Sequence, residues 1–366
     1  MKENKWIVLI VSAMGGLLLS WIGLSIGWML GTLIVAASIS FAFPQFSGAN
    51  KIPKSWLSIG QLILGIELGQ KINLSVLTAF QSHWMVISLM LILSVLFSLL
   101  SGFVLWKFSR SDMLTSFFGT APGGLSAMPA LAEEVGANTA VVSIIQTMRV
   151  FLVVLTIPVI VSLWAIHPAA EPAIQHASSG FDPLQLLWTA VLAMAAWGGY
   201  YAGEHLKFPA PWLLGSMTTV AIVQSLSSVY AGHNMVAYWP HSLTILSQIL
   251  IAVSIGSRFH KKMFAGLKQT IMVGLMSTVG LIAVMFICAY LVSVLTGIDF
   301  KTAALAFAPG GIAEMATTAV VLDADSTFVV AVQVLRILAV CLILPPIFRL
   351  LHMWELQKEV HTHASA

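Results

Sequence analysis

The sequence predicts an all-α polytopic membrane protein made of two inverted-topology repeats, each with about five crossings, about ten transmembrane helices in all, and one broken or re-entrant segment per repeat. Of its 366 residues, 58% are hydrophobic and only 8% are charged, whereas a soluble domain carries about 25% charged residues. A chain so poor in charge cannot cover its surface with polar groups, so it must face lipid. The other two observations are an internal repeat and a reversal of loop charge between its halves.

Apolar runs mark the membrane segments in order along the chain. Those of the first half lie near residues 6–22, 28–43, 56–69, 84–106, 114–132 and 139–166. Those of the second half lie near residues 186–203, 212–231, 243–257, 269–296, 302–320 and 326–350. Several are shorter than the ~20 residues that cross hydrocarbon upright, and short Gly-interrupted pieces at matching places are typical of transporters with discontinuous helices. The first run has no small-residue cleavage site and is predicted to remain as an uncleaved helix.

The chain contains an internal duplication. The stretch Ala121 to Arg149, APGGLSAMPALAEEVGANTAVVSIIQTMR, aligns without a gap with APGGIAEMATTAVVLDADSTFVVAVQVLR, from Ala308 to Arg336. The offset is 187, and ten of twenty-nine positions are identical. GWMLG at 27–31 matches PWLLG at 211–215 at an offset of 184. Such a long match in register indicates two copies of one structural unit.

Lys and Arg are enriched in cytoplasmic loops, and their bias changes sign between the halves. The loop with Lys51 and Lys54 has a counterpart without basic residues, whereas the loop with Lys71 alone has a counterpart with four. The repeats are therefore predicted to be inverted, each with an odd number of crossings, and both termini are predicted to be cytoplasmic. The predicted units are a first membrane repeat at 1–166, an extracytoplasmic linker at 167–183, a second membrane repeat at 184–350 and a cytoplasmic tail at 351–366.

Each copy of the repeat places a helix-breaking Pro-Gly-Gly inside an apolar segment. Proline lacks a backbone donor and paired glycines tolerate positive φ, so regular helix stops there. Non-helical backbone survives at membrane depth only inside protein or beside a wet cavity, and the helix that restarts presents N–H groups that favour an anion. We predict that both breaks line a substrate site; the alternative is a tight reversal that serves packing alone. The residues are Pro122, Gly123, Gly124, Pro309, Gly310 and Gly311.

A glutamine and an arginine follow each break at the same distance. Arg149 and Arg336 lie near mid-depth in apolar helices, where an arginine costs ~2.5–3.5 kcal/mol on insertion scales. Gln146 and Gln333 lie one turn earlier on the same helix face. One interpretation is a cationic wall that binds an anionic substrate. The other is structural, with each arginine paired to an intramembrane carboxylate.

Glu67 and Glu314 are the carboxylates available for such pairs. Each half supplies an acid that the other lacks, since Glu67 aligns with a serine and Glu314 with an alanine. Either acid can pair with an arginine or serve as a coupling site for H⁺ or Na⁺. Asp112 and Asp299 stand at the starts of the Pro-Gly-Gly segments and are better explained as helix N-caps.

Other functional classes find no support in the sequence. The ten histidines lie mostly in loops and tails, without the convergent ligands of a metal centre. Cys288 and Cys341 form no redox motif, and neither a phosphate-binding loop nor a nucleophile motif is visible. A net charge of +3 without a clustered basic face disfavours nucleic acid as a partner. We therefore predict no catalytic residue, no metal and no cofactor.

The duplicated APGG blocks that end in Q-x-x-R, with GWMLG and PWLLG before them, resemble the bacterial AbrB membrane family, also named for ammonia monooxygenase. The resemblance covers the chain from about Gly15 to Pro346. It implies a multi-pass protein of the bacterial inner membrane with a twofold AbrB duplication, linked in some members to regulation of gene expression. A small soluble DNA-binding regulator shares the name, but nothing in this chain suits DNA.

These features lead to the hypothesis of a secondary transporter or exporter that moves a small, anionic organic solute by alternating access. The expected partners are the lipid bilayer, the solute and a coupling H⁺ or Na⁺, and a homo-oligomer is left open. The alternative is a membrane sensor or regulator without transport. A membrane monooxygenase, which the family name suggests, lacks a visible ligand set.

Overall fold

The computed structural model describes residues 4–24, 26–43, 52–71, 74–122, 128, 132–133, 135–164, 183–206, 208, 210–231, 235, 237–259, 267–340 and 343. Regular secondary structure in these residues is helical, as predicted from the sequence. The helices are α1 (Asn4–Trp21), α2 (Gly27–Ala42), α3 (Lys54–Lys71), α4 (Leu74–Phe108), α5 (Met113–Thr120), α6 (Thr139–Trp164), α7 (Pro183–His205), α8 (Pro211–Ala231), α9 (His241–Gly256), α10 (Lys268–Thr296), α11 (Phe300–Phe307), α12 (Ile312–Val321) and α13 (Ser326–Val340).

Lipid exposure explains the outer surface of the long helices. Three described stretches are long and apolar enough to cross a membrane, namely Trp84–Phe108, Thr139–Leu163 and Lys268–Thr296. Large apolar side chains such as Leu89 on α4 and Met276 on α10 are more than half exposed. Such exposure is unfavourable in water and acceptable in hydrocarbon. The chain is therefore a helical membrane protein.

The main helix–helix contacts divide the described helices into two bundles. The first bundle contains α1, α2, α3, α7, α8 and α9, and the second contains α4, α5, α6, α10 and α11. Each half of the sequence contributes its first three helices to the first bundle. Helix α12 contacts α6 and α11 of the second bundle and also α3 and α9 of the first. This short helix, which follows the second Pro-Gly-Gly, therefore lies where the two bundles meet.

Glycines at equivalent sequence positions bring equivalent helices together. A Cβ on Gly31 of α2 would overlap the carbonyl oxygen of Gly15 on α1. In the second half, a Cβ on Gly215 of α8 would overlap the carbonyl oxygen of Gly199 on α7. Both pairs are related by the offset of 184 seen in the sequence. The α1–α2 and α7–α8 contacts therefore both require a glycine, which has no side chain, at the same position of the repeat.

A second pair of glycines joins the halves to each other. A Cβ on Gly69 of α3 would lie 2.8 Å from the carbonyl oxygen of Met217 on α8. A Cβ on Gly256 of α9 would lie 2.7 Å from the carbonyl oxygen of Leu33 on α2. Because Met217 aligns with Leu33 and Gly69 with Gly256, each half makes the same contact on the other half. The sequence repeat is matched by a repeat in packing.

Short polar side chains start the helices around each break. Asp112 caps α5, since its Oδ2 accepts from the backbone N–H of Thr115 at 2.9 Å, which confirms the predicted N-cap. Asp299 is likewise the N-cap residue of α11, as predicted, but its side chain makes no cap hydrogen bond. Its carboxylate instead lies 3.9 Å from Lys301 Nζ, because a lysine follows Asp299 at a position where the first half has no cation.

Two further caps were not predicted from the sequence. Asn138 Oδ1 accepts from Val141 N at 3.2 Å before α6, and Asp325 Oδ1 accepts from Phe328 N at 2.9 Å before α13. Asn138 and Asp325 are equivalent in the repeat, and this shared Asn/Asp preceding a helix is the signal that identifies them. They fix where the arginine-bearing helices begin.

We expect Gly31→Ala to destabilise the protein. The added methyl group would force α1 and α2 apart, and overpacking of this kind costs about 1–3 kcal/mol. The matched control is Gly280→Ala on α10, where a Cβ meets nothing within 4 Å. Thermal unfolding in detergent should show a lower midpoint for Gly31→Ala only. Equal midpoints would contradict the close α1–α2 approach.

Candidate functional site

The first break begins where α5 ends. Its last carbonyl groups are bound by two side chains of α6. Gln146 Nε2 donates to the carbonyl oxygens of Phe118 at 2.9 Å and Ala121 at 2.8 Å. Arg149 Nη1 donates to the carbonyl oxygen of Thr120 at 2.7 Å, and its Nη2 donates to Gln146 Oε1 at 2.7 Å. The glutamine and the arginine thus form one buried clamp on the end of α5.

The second break has the same clamp, built by α13 on the end of α11. Gln333 Nε2 donates to the carbonyl oxygens of Leu305 at 2.8 Å and Ala308 at 3.1 Å. Arg336 donates through Nη1 to the carbonyl of Ala308 and through Nη2 to that of Gly310 at 2.9 Å. Arg336 Nη2 also donates to Gln333 Oε1 at 2.6 Å. The two glutamines bind equivalent carbonyls in the two halves.

The clamps follow from the chemistry of a helix end. The last four carbonyls of an α-helix lack partners within the helix, and together they carry a partial negative charge of about half an electron. Both helices end at an alanine in extended conformation before proline, Ala121 and Ala308, so no further turn can bind these groups. A buried guanidinium next to a buried amide supplies both hydrogen bonds and opposite charge.

The burial and contacts of the two arginines test the interpretation that each pairs with an intramembrane carboxylate. Arg149 and Arg336 are 4% and 1% exposed. Among the described residues neither lies within ion-pair distance of Glu67 or Glu314. The partner expected to be a carboxylate is instead a set of backbone carbonyls. Substrate binding by the arginines remains a prediction.

The two clamps lie close to each other. Arg336 Nη2 donates to the carbonyl oxygen of Gly310, and Gly310 lies beside the helix that carries Arg149. A Cβ on Gly310 would lie 2.9 Å from Val153, one turn beyond Arg149 on α6, so the second break packs against the helix that clamps the first. The Nε atoms of both arginines are buried. Two positive charges thus lie near each other, and the Nε donor of each has no partner among the described residues.

Glu314 lies at the start of α12, immediately after the second break. Its carboxylate folds back on Gly311, where a Cβ would overlap Oε2. The acid therefore occupies the helix end that the sequence predicted to favour an anion. Arg258, beyond the end of α9, interacts with it electrostatically. Sequence reasoning did not single out Arg258, although it aligns with another basic residue, Lys71.

Glu67 lies elsewhere, on the part of α3 that faces α9. Its Oε2 accepts from Thr244 Oγ1 of α9 at 2.9 Å, and its Oε1 lies 3.7 Å from Lys71 Nζ one turn later. The carboxylate is 7% exposed whereas the lysine is half exposed. The structure thus gives Glu67 two polar partners that are not part of either clamp.

The remaining predicted site residues belong to the breaks themselves. Pro122, Pro309 and Gly310 are buried, and Gly311 is partly buried. Gly123 and Gly124 lie outside the described residues. In the described part of the chain no group of three or more His, Cys, Asp and Glu side chains is arranged to hold a metal ion.

A cavity of about 280 Å³ lies where α5, α6 and α10 begin, away from the end of α5 that the clamp binds. Arg110, Asp112, Asn138, Gln269 and Thr270 are among its lining residues. Most of these polar side chains already have partners: Asp112 and Asn138 cap helices, Gln269 donates to the carbonyl of Phe108, and Thr270 meets a serine hydroxyl. The cavity does not reach the clamp residues, so we do not include it in the candidate site.

Comparison with known proteins places the chain in one family. The family model described as "Transition state regulatory protein AbrB" matches residues 28–352. The chain is 54% identical over 359 residues to "Uncharacterized protein YhjN" of Bacillus subtilis (strain 168), covering 96% of this chain and 93% of that protein. It is 30% identical over 301 residues to "Putative regulator AbrB" of Escherichia coli (strain K12), covering 82% and 83%.

We expect Gln146→Leu to destabilise the protein markedly. It leaves the carbonyls of Phe118 and Ala121 buried without this donor, and each such group costs about 1–3 kcal/mol. The same change in Gln70, which donates only to a carbonyl of its own helix at 3.3 Å, is the control and should have little effect.

Combining Gln146→Leu with Arg149→Met tests whether the two side chains act as one clamp. Since they share a hydrogen bond, the combined loss of unfolding free energy should be smaller than the sum of the single losses. The measurement is reversible unfolding of the purified protein in micelles. Additive losses would show that the glutamine and the arginine act independently.

Proposed function

The chain belongs to the AbrB family, and from this premise we propose that it is a secondary transporter or exporter of a small organic anion that works by alternating access. The two Pro-Gly-Gly breaks and the two clamps form the proposed substrate site. One observation carries the proposal: two neighbouring buried arginines, one from each half, keep a free Nε donor beside discontinuous helices. Discontinuous helices beside buried charge are the usual construction of a transporter site.

The charge of the proposed site favours an anion. Each guanidinium is only partly neutralised by a helix end that carries about half a negative charge. Glu314 adds one negative charge, and the start of α12 adds about half a positive charge. Together these groups leave about half a positive charge, before Arg258 is counted. A small anion would relieve the repulsion between Arg149 and Arg336 and could accept from the free Nε groups.

The proposed architecture is a pair of inverted repeats with about ten crossings in the bacterial inner membrane, with both termini cytoplasmic. The reversal of loop charge between the halves supports the inversion. The exchanged contacts of Gly69 and Gly256 support a twofold relation between the halves. Motion of the second bundle against the first would expose the site alternately to the two sides.

Glu314 is the more suitable of the two acids for coupling transport to H⁺ or Na⁺. It lies at the second break, so binding of a cation there would change the charge felt by the substrate. Glu67, in contrast, already has a hydroxyl and an ammonium group as neighbours away from the clamps.

A second candidate is a membrane regulator without transport, which the names of the family and of the Escherichia coli relative favour. A deletion strain separates the two: altered gene expression with unchanged flux of every tested solute would favour regulation. We assign no enzymatic role and no cofactor; stoichiometric copper or iron in the purified protein would reopen the monooxygenase alternative.

The proposal predicts that organic anions stabilise the purified protein. A ligand at one hundred times its dissociation constant adds about 2.7 kcal/mol to the folded state. Thermal unfolding should therefore shift with one or more small carboxylates in a solute library sorted by charge, and not with their uncharged amides. A library in which no anion stabilises the protein would count against an anion site.

We further expect Arg149→Ala and Arg336→Ala to abolish flux of the stabilising anion in proteoliposomes. Each variant removes one positive charge and one free donor from the site. Insertion is checked by orientation-sensitive labelling, and Lys107→Ala, at the end of α4, is the control that keeps flux while removing one cation. Normal flux in both arginine variants would end this site assignment.

A further inference from the structure

The cavity at the starts of α5, α6 and α10 is separate from the candidate site. Its volume of about 280 Å³ gives room for a polar group much larger than one water molecule. Its lining combines both halves of the chain, with Arg110 and Ser111 from the first half and Gln269 and Thr270 from the second. A ligand in this cavity would therefore contact both halves of the repeat and neither clamp.

Positive charge dominates the lining of this cavity. Three helices begin there, and each helix start carries about half a positive charge. Arg110 adds a full charge, and its guanidinium has no hydrogen bond or ion pair with any described residue. Among the described lining residues Asp112 is the one carboxylate, and it caps α5, where its Oδ2 accepts from Thr115 N at 2.9 Å. The charge balance therefore favours an anion.

The lining also holds hydrogen-bond donors that lack an acceptor. Thr115 is fully buried, and its Oγ1 accepts from Asn138 N at 2.8 Å, but its hydroxyl hydrogen has no acceptor among the described residues. Helix α10 begins after Leu267, whose side chain caps none of the first N–H groups. The starts of α5 and α6, in contrast, are capped by Asp112 and Asn138. A cation, a hydroxyl donor and an uncapped helix start are suitable surroundings for a phosphate group.

The second half of the chain does not repeat this cavity. The capping aspartate and the threonine that lines the cavity are present in both halves. In place of Arg110 and Val141, however, the second half has Gly297 and Phe328. Phe328 is 2% exposed, and because Val141 lines the cavity, a phenylalanine ring at that position would extend into it. The parts that start the helices are thus shared, whereas the cation and the open space occur in one half only.

The cavity lies at the level of the membrane surface. The apolar stretch Trp84–Phe108 of α4 is long enough to cross a membrane, and it ends two residues before Arg110. Phe103, Trp106 and Phe108 are exposed at this end of the helix, and aromatic side chains are enriched where a helix leaves the bilayer. The loop charges predict this face to be cytoplasmic. The phosphate groups of membrane lipids lie at the same level.

We propose that the cavity binds the phosphate group of an anionic phospholipid, with Arg110 as its ion-pair partner and with Thr115 and the start of α10 as hydrogen-bond donors. Basic pockets between transmembrane helices on the cytoplasmic side are typical sites for such headgroups. A soluble phosphate ester has the same chemistry, and the experiment below distinguishes the two sources. The inference does not depend on the proposed transport function, because no clamp residue takes part in it.

Thermal unfolding of the purified full chain in maltoside micelles measures the binding. Phosphatidylglycerol is added at rising mole fraction, and phosphatidylcholine with the same acyl chains is the control without net charge. A ligand that binds the folded state raises the unfolding midpoint until its site is saturated. We expect a saturable rise with phosphatidylglycerol and no saturable rise with phosphatidylcholine. Glycerol phosphate, which has no acyl chains, is the soluble probe.

Two variants change the lining in different ways. Arg110→Gln removes the charge-assisted hydrogen bonds, so the half-saturating mole fraction of phosphatidylglycerol should rise about tenfold. Val141→Phe keeps every charge and fills the cavity with the residue of the second half, and it should weaken binding by a similar factor. Lys107→Gln is the matched control, because it removes a cation that lies 5.9 Å from the Phe108 ring and does not line the cavity. It should leave the half-saturating mole fraction unchanged.

Weaker binding in both lining variants, but not in Lys107→Gln, supports the site. Unchanged binding in both lining variants would overturn it, and so would an equal loss in Lys107→Gln and Arg110→Gln, since surface charge alone then holds the lipid. A loss in Arg110→Gln with unchanged binding in a folded Val141→Phe would also overturn it, because the phosphate then lies outside the cavity.

The soluble probe identifies the source of the phosphate. Stabilisation by glycerol phosphate that Arg110→Gln weakens, with no stabilisation by phosphatidylglycerol, keeps the cavity as a phosphate site but overturns the lipid as its ligand. Because Arg110 is exposed, its substitution leaves the packing intact. The comparison of Arg110→Gln with Lys107→Gln therefore decides the proposal even if Val141→Phe fails to fold.

Discussion

The structure depends on one constraint: a helix that stops inside an apolar protein leaves carbonyl groups that water cannot reach. Each unsatisfied buried group costs about 1–3 kcal/mol, and a helix end presents up to four of them. The chain meets this constraint twice with the same pair of side chains, a glutamine and an arginine from the next long helix. The two breaks can persist at depth because the clamps replace the missing turns.

The clamps also introduce charge. A guanidinium satisfies a helix end well, but it brings a full positive charge against about half a negative one. The duplicated fold places both clamps near the same point, since Gly310 of the second break packs on the helix of Arg149. What stabilises each break separately therefore places two positive charges near each other, and this charge is the physical basis of the proposed anion site. Structural support and substrate binding need not be alternatives.

The sequence predicted much of this arrangement and missed its details for identifiable reasons. Helix positions followed from apolar runs, and α5, α11 and α12 were foreseen as parts of broken segments because Pro-Gly-Gly interrupts them. The partners of Arg149 and Arg336 were not foreseen, because backbone carbonyls are present at every residue and leave no mark in a sequence. The Phe259–Phe151 stack joins residues more than a hundred positions apart, which no local pattern encodes. Asp299 is the N-cap residue by position, as predicted, but its carboxylate lies 3.9 Å from Lys301 Nζ and makes no cap hydrogen bond.

A duplicated chain with two identical halves would have two equivalent sides and no preferred state. The residues that differ between the halves therefore matter to the preferred state as much as the residues that the halves share. Identical residues, such as the glutamines and arginines of the clamps, maintain the breaks that both halves need. Two departures from symmetry are Glu314, which lies against Gly311 of the second break, and Phe151 of α6, which stacks on Phe259 of the first bundle. Because a contact made on one side only lowers the free energy of one arrangement of the bundles, it makes the two sides of the site unequal.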